Sequence, residues 1–483
     1  MTASTIRNGI EHLYKLGDGK FAIFNSLTLK IAYGNEHLRR AFDAHKDNKT
    51  STCGTAEMSV LAELVKNRVI ISRTDQDNLI NELKHSIETS EIATLYLLPT
   101  LDCDTSCSYC IVRDIARERW DCRKSMEHEE IFHALKTFYI LSSNSKRRRD
   151  IVIFGGEPSM VPDIVNQIGR TVRDDFDDHE SNLVVVSNGI GIHRIIQSIR
   201  RYDIFPIISI DGYAGRGNMS RGNYEIESCF KALRESGMHF GLSITLGKHN
   251  IIGFEKEILS IVDQFKPLEI GINNYLHSRL DCYPNEFYLA GEDISELLFR
   301  LYIHLAERGI FFEQLLRRMR PFIEETPRLK ECPACGGKIV FLPDRTMGRC
   351  EYFSLNRLHL LEYSNPFSSI AMTNNEWAKL SPINWGYCKD CECRMLCGGG
   401  CIYDNYSATN SVETRDRLRC DQDRMTLRLM ILALYNLLNR PDDDVFFPTV
   451  EEKRKLYFNA KDDEFVPLQS SSRAGEFNFR SAK

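Results

Sequence analysis

Three cysteines on one short stretch are the residues whose type and spacing most directly suggest chemistry. Cys103, Cys107 and Cys110 have the spacing C-x3-C-x2-C, and no fourth cysteine lies on the same stretch. Sites that enclose a metal ion or an iron–sulfur cluster completely use four ligands. Three thiolates on a [4Fe–4S] cluster leave one iron open to a second molecule. The spacing therefore predicts a cluster that takes part in a reaction, and it differs from the C-x2-C pairs of zinc sites.

A second, larger group of cysteines lies in the last third of the chain. Its core has the spacing C-x2-C-x5-C-x3-C, one cysteine follows the core and three precede it: Cys388, Cys391, Cys397 and Cys401, then Cys420, and before them Cys332, Cys335 and Cys350. Sixteen cysteines in a chain that begins without the apolar stretch of a signal peptide predict a reducing, cytoplasmic setting without a disulfide framework. Zinc is the alternative because the group contains two C-x2-C pairs, but the gap between them far exceeds the usual ~15–20 residues.

Short motifs with glycine or polar side chains follow three of the predicted strands. The first motif is Gly155, Gly156, Glu157 and Pro158, directly after the strand Ile151–Phe154, and the next two strands end in Ser187-Asn188-Gly189 and Ser209-Ile210-Asp211-Gly212. Paired glycines let the backbone approach a ligand closely, and the Glu157 carboxylate suits an ammonium group. In a barrel of parallel strands, these positions fall on the face where active sites form.

The first cysteine group and these motifs together resemble the radical S-adenosylmethionine (SAM) enzymes. The resemblance implies that a cluster on Cys103, Cys107 and Cys110 binds SAM through its open iron and reduces it to a 5′-deoxyadenosyl radical. It also implies cofactor contacts at Tyr109, Gly155, Gly156, Glu157, Pro158, Ser187, Asn188 and Ser209. Relatives carry an arginine for the SAM carboxylate ten residues after the third motif's aspartate, and Arg221 has that distance from Asp211. The family's usual His-Asp pair before this arginine is replaced here by Asn218-Met219.

The C-terminal cysteines resemble the seven-cysteine SPASM extension of radical SAM enzymes, which carries two auxiliary [4Fe–4S] clusters. The resemblance implies three clusters in the whole chain. One auxiliary cluster would lie on Cys388, Cys391, Cys397 and Cys420, and the other on Cys335, Cys350 and Cys401 with Cys332 as the available fourth ligand. Cys332 stands nearer to Cys335 than the extra ligand usually does. Glu351 has the position of the acidic general base of anaerobic sulfatase-maturing relatives, and a solvated glutamate is the alternative.

The elements around these motifs predict an α/β protein. Between about residues 94 and 280, six apolar strands alternate with amphipathic helices, a pattern typical of a parallel sheet covered by helices. We expect a partial (β/α)6 TIM-like barrel, as in radical SAM enzymes, over residues 76–310. A cysteine-rich SPASM domain at 311–440 and a C-terminal tail at 441–483 would follow.

Residues 1–75 predict a small separate domain. Short β-prone runs at 13–16, 21–24 and 29–33 precede helical patterns at 36–45 and 56–66, and Val69–Ile71 could close the sheet. This order resembles a winged-helix peptide-recognition domain, which would take a peptide leader as an added strand. A packing subdomain without a ligand is the alternative.

Composition excludes some functions and leaves a peptide-modifying enzyme as the main hypothesis. A net charge of −5 predicts no nucleic-acid binding, and the longest apolar stretch, Leu427–Leu438, is too short to span a membrane. We expect an oxidoreductase that crosslinks or otherwise oxidises a ribosomally made precursor peptide and receives electrons from a flavodoxin or ferredoxin. The alternatives are a maturase that forms formylglycine on a protein, a small-molecule dehydrogenase or epimerase, and a non-catalytic iron–sulfur electron carrier.

Overall fold

The computed structural model describes residues 5–17, 19–88, 90–119, 125–212, 219–222, 226–275, 289, 291–440 and 445–457. Within these residues the chain forms a small antiparallel sheet, a large and mainly parallel sheet, and the helices around them. Asn218 and the part of the predicted tail beyond residue 457 lie outside the described residues.

The N-terminal sheet contains one strand that the sequence did not predict. Its strands pair antiparallel in the order β1 (Thr5–Asn8), β2 (Glu11–Gly17), β3 (Lys20–Asn25) and β4 (Ile31–Gly34), and the helices α1 (Glu36–Lys46), α2 (Thr55–Lys66) and α3 (Arg73–Glu88) follow. The prediction of a strand at Val69–Ile71 is wrong. Val69 and Ile70 are buried after α2, where their amides donate to the Leu64 carbonyl at 2.9 and 3.2 Å. The fourth strand of this sheet is instead β1, which pairs with β2.

The large sheet is built from six strands that alternate with helices. In chain order the elements are β5 (Thr94–Leu97), α4 (Ile111–Arg119), α5 (His128–Leu141), β6 (Asp150–Ile153), α6 (Pro162–Arg170), β7 (Asn182–Ser187), α7 (Ile192–Arg201), β8 (Phe205–Ser209), α8 (Glu227–Glu235), β9 (Gly241–Leu246), α9 (Phe254–Phe265) and β10 (Glu269–Asn274). Each strand pairs in parallel with the next one in the chain. The predicted α/β class with a parallel sheet of this type is confirmed.

The C-terminal part of the chain extends this sheet at both ends. Its elements are α10 (Gly291–Ala306), β11 (Phe311–Phe312), α11 (Glu313–Glu324), β12 (Lys338–Leu342), β13 (Thr346–Gly348), α12 (Glu351–Leu355), β14 (Leu360–Leu361), α13 (Pro366–Ala378), α14 (Ile402–Thr409), α15 (Arg417–Leu438) and α16 (Val450–Lys453). β11 pairs with β10, and β12 pairs in parallel with β5. Backbone hydrogen bonds thus join the cysteine-rich region to the first strand of the parallel sheet. No described helix is long and apolar enough to cross a membrane.

Most residues on both faces of the parallel sheet are buried, which explains why its strands are mainly apolar. Successive strand residues point to opposite faces. Leu95 and Leu97 pack in the core beneath the outer helices, whereas Tyr96 belongs to a second core on the other face. That second core also contains Cys335 and Cys350. The inner face of the sheet therefore packs directly against the cysteine-rich region.

Candidate active site

The first three cysteines lie on the loop that joins β5 to α4. Cys107 is buried and the other two are half-buried. The Thr105 hydroxyl lies 3.1 Å from the Cys103 Sγ and 3.6 Å from the Cys107 Sγ. Burial, together with the neighbouring Cys107 and Cys103 thiols, raises the pKa of the Cys110 thiol to about 11. The loop therefore gathers the three thiols in one place.

The paired glycines pack directly beneath this loop. A Cβ atom on Gly156 would lie 2.0 Å from the Asp102 carbonyl oxygen, and one on Gly155 would lie 2.6 Å from the Thr100 carbonyl oxygen. The Gly156 amide donates to the Thr100 carbonyl at 2.8 Å, and the Glu157 amide donates to the Asp102 carbonyl at 2.7 Å. Gly155 also has a φ of +132°, which favours glycine. Any side chain at Gly156 would displace the cysteine loop.

The Glu157 carboxylate connects the end of β6 to the end of β7. It accepts hydrogen bonds from the Ser159 amide at 2.9 Å, the Ser187 hydroxyl at 2.8 Å and the Asn188 amide at 2.7 Å. Burial raises the pKa of Glu157, while these hydrogen bonds lower it. A carboxylate has about four acceptor positions, so the three bonds leave room for one more donor such as an ammonium. Pro158 begins the short turn that follows.

Asn188 carries this connection on to the cysteine loop. Its side-chain amide donates to the Asp104 carboxylate at 2.6 Å and to the Cys103 Sγ at 3.8 Å. The structure thus brings three sequence-predicted segments together: the cysteine loop, the glycine motif and the end of β7. Ser209 ends β8, the next strand of the sheet, and is half-buried.

Tyr109 and Arg221 meet in a buried polar cluster after β8. The Arg221 guanidinium donates to the Tyr109 hydroxyl at 3.0 Å, and that hydroxyl donates to the Asp211 carboxylate. The His249 Nε2 lies 3.4 Å from the same carboxylate, and its ring lies 5.0 Å from the Tyr109 ring. Asp211 belongs to the third motif but was not predicted as a site residue, and neither was His249. Their shared signal is position, because each lies two or three residues after a strand of the parallel sheet.

Four cysteines of the C-terminal group line one cavity. Cys388, Cys391, Cys397 and Cys420, the set predicted for one auxiliary cluster, line a small cavity together with Cys393. Arg394 and Arg415 also line it, and within the described residues the buried Nε atom of each has no hydrogen-bond acceptor. Gly398, Gly399 and Gly400 have φ values of +61°, +89° and +76°, so this glycine run lets the chain turn tightly between two of the cysteines.

The remaining four cysteines also lie near one another. Burial raises the pKa of Cys335, and the Cys332 and Cys350 thiols add to the increase. Burial likewise raises the pKa of Cys401, again with contributions from Cys332 and Cys350. Cys332 therefore lies near Cys335, Cys350 and Cys401, the three cysteines with which it was grouped from the sequence.

Glu351 is buried beside this second set and is not a solvated glutamate. Its carboxylate lies 2.5 Å from the Lys338 Nζ, and the Lys338 ammonium lies 4.4 Å from the centre of the Tyr96 ring. Burial lowers the pKa of Lys338, but Glu351 and the Cys332 and Cys350 thiols outweigh burial and hold that pKa well above its usual range. Glu351 thus belongs to a buried ion pair on the inner face of the sheet.

The thiol groups of these three cysteine sets fit iron–sulfur clusters. Fe–S clusters are held by cysteine thiolates, and their potentials depend on charge and on hydrogen bonds to sulfur. The two arginines with unsatisfied Nε atoms suit the negative charge that such a cluster would bring. Among the described residues, no three His, Cys, Asp or Glu side chains converge closely enough to hold a single metal ion.

Comparison with known proteins gives the class of this chain. Residues 97–260 match the family model of the Radical SAM superfamily. This range begins at the end of β5 and ends in α9, and it contains the cysteine loop, the glycine motif and Arg221. The chain therefore carries a radical SAM domain and is an enzyme, and this class of domain uses a [4Fe–4S] cluster and SAM.

Two solved structures share the fold over most of this chain. The structure of anSMEcpe with bound AdoMet is 15% identical, covers 75% of this chain and 98% of its own, and has a TM-score of 0.57. Streptococcus suis SuiB bound to precursor peptide SuiA is 15% identical, covers 86% of this chain and 99% of its own, and has a TM-score of 0.52. At this identity the likeness concerns the fold alone. No curated protein matches the chain in sequence.

Proposed function

We propose that this radical SAM enzyme oxidatively modifies a ribosomally made peptide with the help of two auxiliary [4Fe–4S] clusters. The observation that supports the proposal is that eleven cysteines form three sets by their spacing, and that the members of each set lie near one another. The proposal also divides the chain into an N-terminal domain at 1–75, a barrel at 76–310, a SPASM domain at 311–440 and a tail at 441–483.

At the SAM site, Cys103, Cys107 and Cys110 hold the first cluster. Arg221, oriented by Tyr109, pairs with the SAM carboxylate. The remaining contacts to the amino group and the ribose come from Gly155, Gly156, Glu157, Pro158, Ser187, Asn188 and Ser209. When bound, this cluster supplies the electron that splits SAM into methionine and a 5′-deoxyadenosyl radical, which takes a hydrogen atom from the peptide. A flavodoxin or ferredoxin is the proposed electron donor.

The two auxiliary clusters would accept the electron that remains after the peptide has lost a hydrogen atom. Removal of one hydrogen atom leaves a carbon radical, and a new bond to that carbon releases one further electron and one proton. Fe–S clusters span potentials of about −700 to +450 mV, so they are suited to receive the electron. We assign Cys388, Cys391, Cys397 and Cys420 to one auxiliary cluster and Cys332, Cys335, Cys350 and Cys401 to the other. Glu351, beside Cys350, is the proposed proton acceptor.

The N-terminal sheet is the proposed holder of the peptide leader. One outer edge of this sheet is already in use, because Tyr33 of β4 exchanges two backbone hydrogen bonds of 2.9 Å with Phe446. At the other edge, β1 pairs only with β2 among the described strands. Displacing a buried phenylalanine costs roughly 1.5–3 kcal/mol. We therefore expect the leader to add its strand at β1.

Formation of formylglycine on a protein is the second candidate, and the position of Glu351 next to Cys350 favours it. Both reactions consume SAM and need the same first cluster. They differ in product, because formylglycine carries an aldehyde and a crosslinked peptide does not.

The proposal is tested with any short peptide encoded beside this gene, incubated anaerobically with the reconstituted enzyme, SAM and a reductant. Loss of two hydrogen atoms in the intact mass, without reaction toward a hydrazide probe, is the expected result. Cys103→Ala should abolish the change. A hydrazide-reactive product would favour formylglycine, and an unchanged peptide under conditions that cleave SAM would contradict the peptide assignment.

A further inference from the structure

A tyrosine of the N-terminal sheet reaches into the cysteine-rich region. The Tyr14 hydroxyl, on β2, donates to the Glu392 Oε2 at 2.6 Å, and both residues are almost fully buried. Glu392 stands between Cys391 and Cys393 in the sequence. A carboxylate between two cysteines thus depends on a hydroxyl from the other end of the chain.

An arginine of α15 extends this contact to a cysteine sulfur. The Arg424 Nε lies 3.9 Å from the Glu392 Oε1, and the Arg424 Nη2 donates to the Cys391 Sγ at 3.9 Å. Arg424 also pairs with Asp421 at 2.9 Å, and Arg428 lies 3.6 Å from the Glu392 carboxylate. Two hydrogen bonds and one ion pair of 3.9 Å therefore connect Tyr14 with Cys391 through Glu392 and Arg424.

Packing alone does not explain this path. Burying a carboxylate costs free energy that an apolar side chain of similar size would avoid. Tyr33 of the same sheet docks onto α15 without any charge, by donating its hydroxyl to the Ile431 carbonyl at 2.9 Å. Hydrogen bonds to cluster sulfurs and nearby charge are the levers by which proteins set cluster potentials, and the path ends at such a sulfur.

We propose that Tyr14, Glu392 and Arg424 form a relay through which the N-terminal sheet sets the reduction potential of the cluster on Cys388, Cys391, Cys397 and Cys420. This inference rests on the proposed function, because it needs a cluster at these cysteines. Tyr14 pairs in register with Thr5 of the edge strand β1. Only β1 would therefore lie between an added leader strand and Tyr14. Binding of the peptide would thereby be coupled to electron acceptance by the cluster.

The direction of the effect follows from charge. The Arg424 hydrogen bond to sulfur stabilises the reduced and more negative cluster, and thereby raises its potential. Without the Tyr14 hydroxyl, Glu392 loses its donor and draws Arg424 toward itself and away from Cys391. The potential should then fall.

The experiment is an anaerobic redox titration of the full reconstituted chain, followed by electron paramagnetic resonance. In Tyr14→Phe, one auxiliary signal should shift to lower potential by about 59 mV, which is a tenfold change in a one-electron couple. Arg424→Gln should shift the same signal at least as far. Tyr33→Phe is the matched control, because it removes a hydroxyl from the same sheet that contacts only a backbone carbonyl of α15, and its potentials should match the wild type.

Iron analysis separates failure of the relay from failure of the proposed function. If the combined variant Cys388→Ala, Cys391→Ala, Cys397→Ala and Cys420→Ala loses no iron, there is no cluster at these cysteines and the proposed function is wrong there. If the iron content is complete but Tyr14→Phe and Tyr33→Phe titrate alike, the relay is refuted while the cluster assignment stands.

Discussion

At the scale of residues, glycines restrict the candidate active site as strictly as its proposed ligands do. Gly156 lies so close to the Asp102 carbonyl that the cysteine loop has no room for a side chain beneath it. The sequence predicted this glycine for the approach of a ligand, and the structure adds the contact with the loop. The motif residues were predictable because each follows a strand. The contact of Asp211 and His249 with Tyr109 was not, because it joins separate segments through buried polar atoms.

Replacing Gly156 by alanine should prevent assembly of the first cluster. The added Cβ would meet the Asp102 carbonyl at 2.0 Å and push the cysteine loop out of place. Iron analysis after anaerobic reconstitution should show a loss of about four irons per chain, which is one [4Fe–4S] cluster. Gly54→Ala is the control, because its Cβ would meet only the flexible end of Glu57. Full iron content in Gly156→Ala would contradict this account of the loop.

At the scale of elements, strands and helices were predictable where local pattern determines them. The six parallel strands are short and mainly apolar runs, and all six are present. β1 was missed because its pairing partner, and not an apolar pattern, makes it a strand. β12 was missed although its residues 339–342 form an apolar run. β12 joins β5 from far along the chain, and no local signal announces that pairing. Val69 and Ile70 have β-prone side chains, but the end of α2 takes up their amides.

The covered edge of the N-terminal sheet gives a prediction about leader binding. Deletion of residues 1–8 should weaken binding of the leader of the neighbouring peptide at least tenfold, because β1 is the expected edge. Phe446→Ala should leave the affinity unchanged, and fluorescence anisotropy with a labelled leader measures both. Tighter binding by Phe446→Ala would show that the leader competes for the β4 edge instead.

At the scale of the whole molecule, the two ends of the chain hold the N-terminal sheet against the rest. The Lys453 Nζ donates to the Leu29 carbonyl at 3.0 Å, the Phe322 carbonyl at 3.2 Å and the Glu325 carboxylate at 3.0 Å. The Tyr14–Glu392 contact spans 378 residues of sequence. Such contacts were beyond prediction, because no spacing rule relates residues so far apart.

Lys453 should make stability depend on pH in the alkaline range. Burial lowers its pKa to about 8 in the folded chain, whereas an unfolded lysine titrates near pH ~10.4. Between these values the unfolded chain binds more protons, so the free energy of unfolding rises with pH by up to about 1.4 kcal/mol per unit. Below about pH 8 the lysine is charged in both states and this gain is absent.

Urea unfolding of the wild type and of Lys453→Met at pH 7, 8, 9 and 10 measures this difference. The free energy of unfolding of the wild type, relative to the variant, should increase from pH 8 to pH 10. A relative stability that stays constant or falls over this range would contradict the pKa assigned to buried Lys453.

Formation of 5′-deoxyadenosine from SAM shows whether Cys103, Cys107 and Cys110 hold a cluster that cleaves SAM. The anaerobically reconstituted and reduced wild type should produce it, and Cys103→Ala should produce none. Cys53→Ala, which removes a half-buried cysteine outside all three sets, should match the wild type. Equal 5′-deoxyadenosine formation by Cys103→Ala, or none by the wild type with its full iron content, would contradict the account.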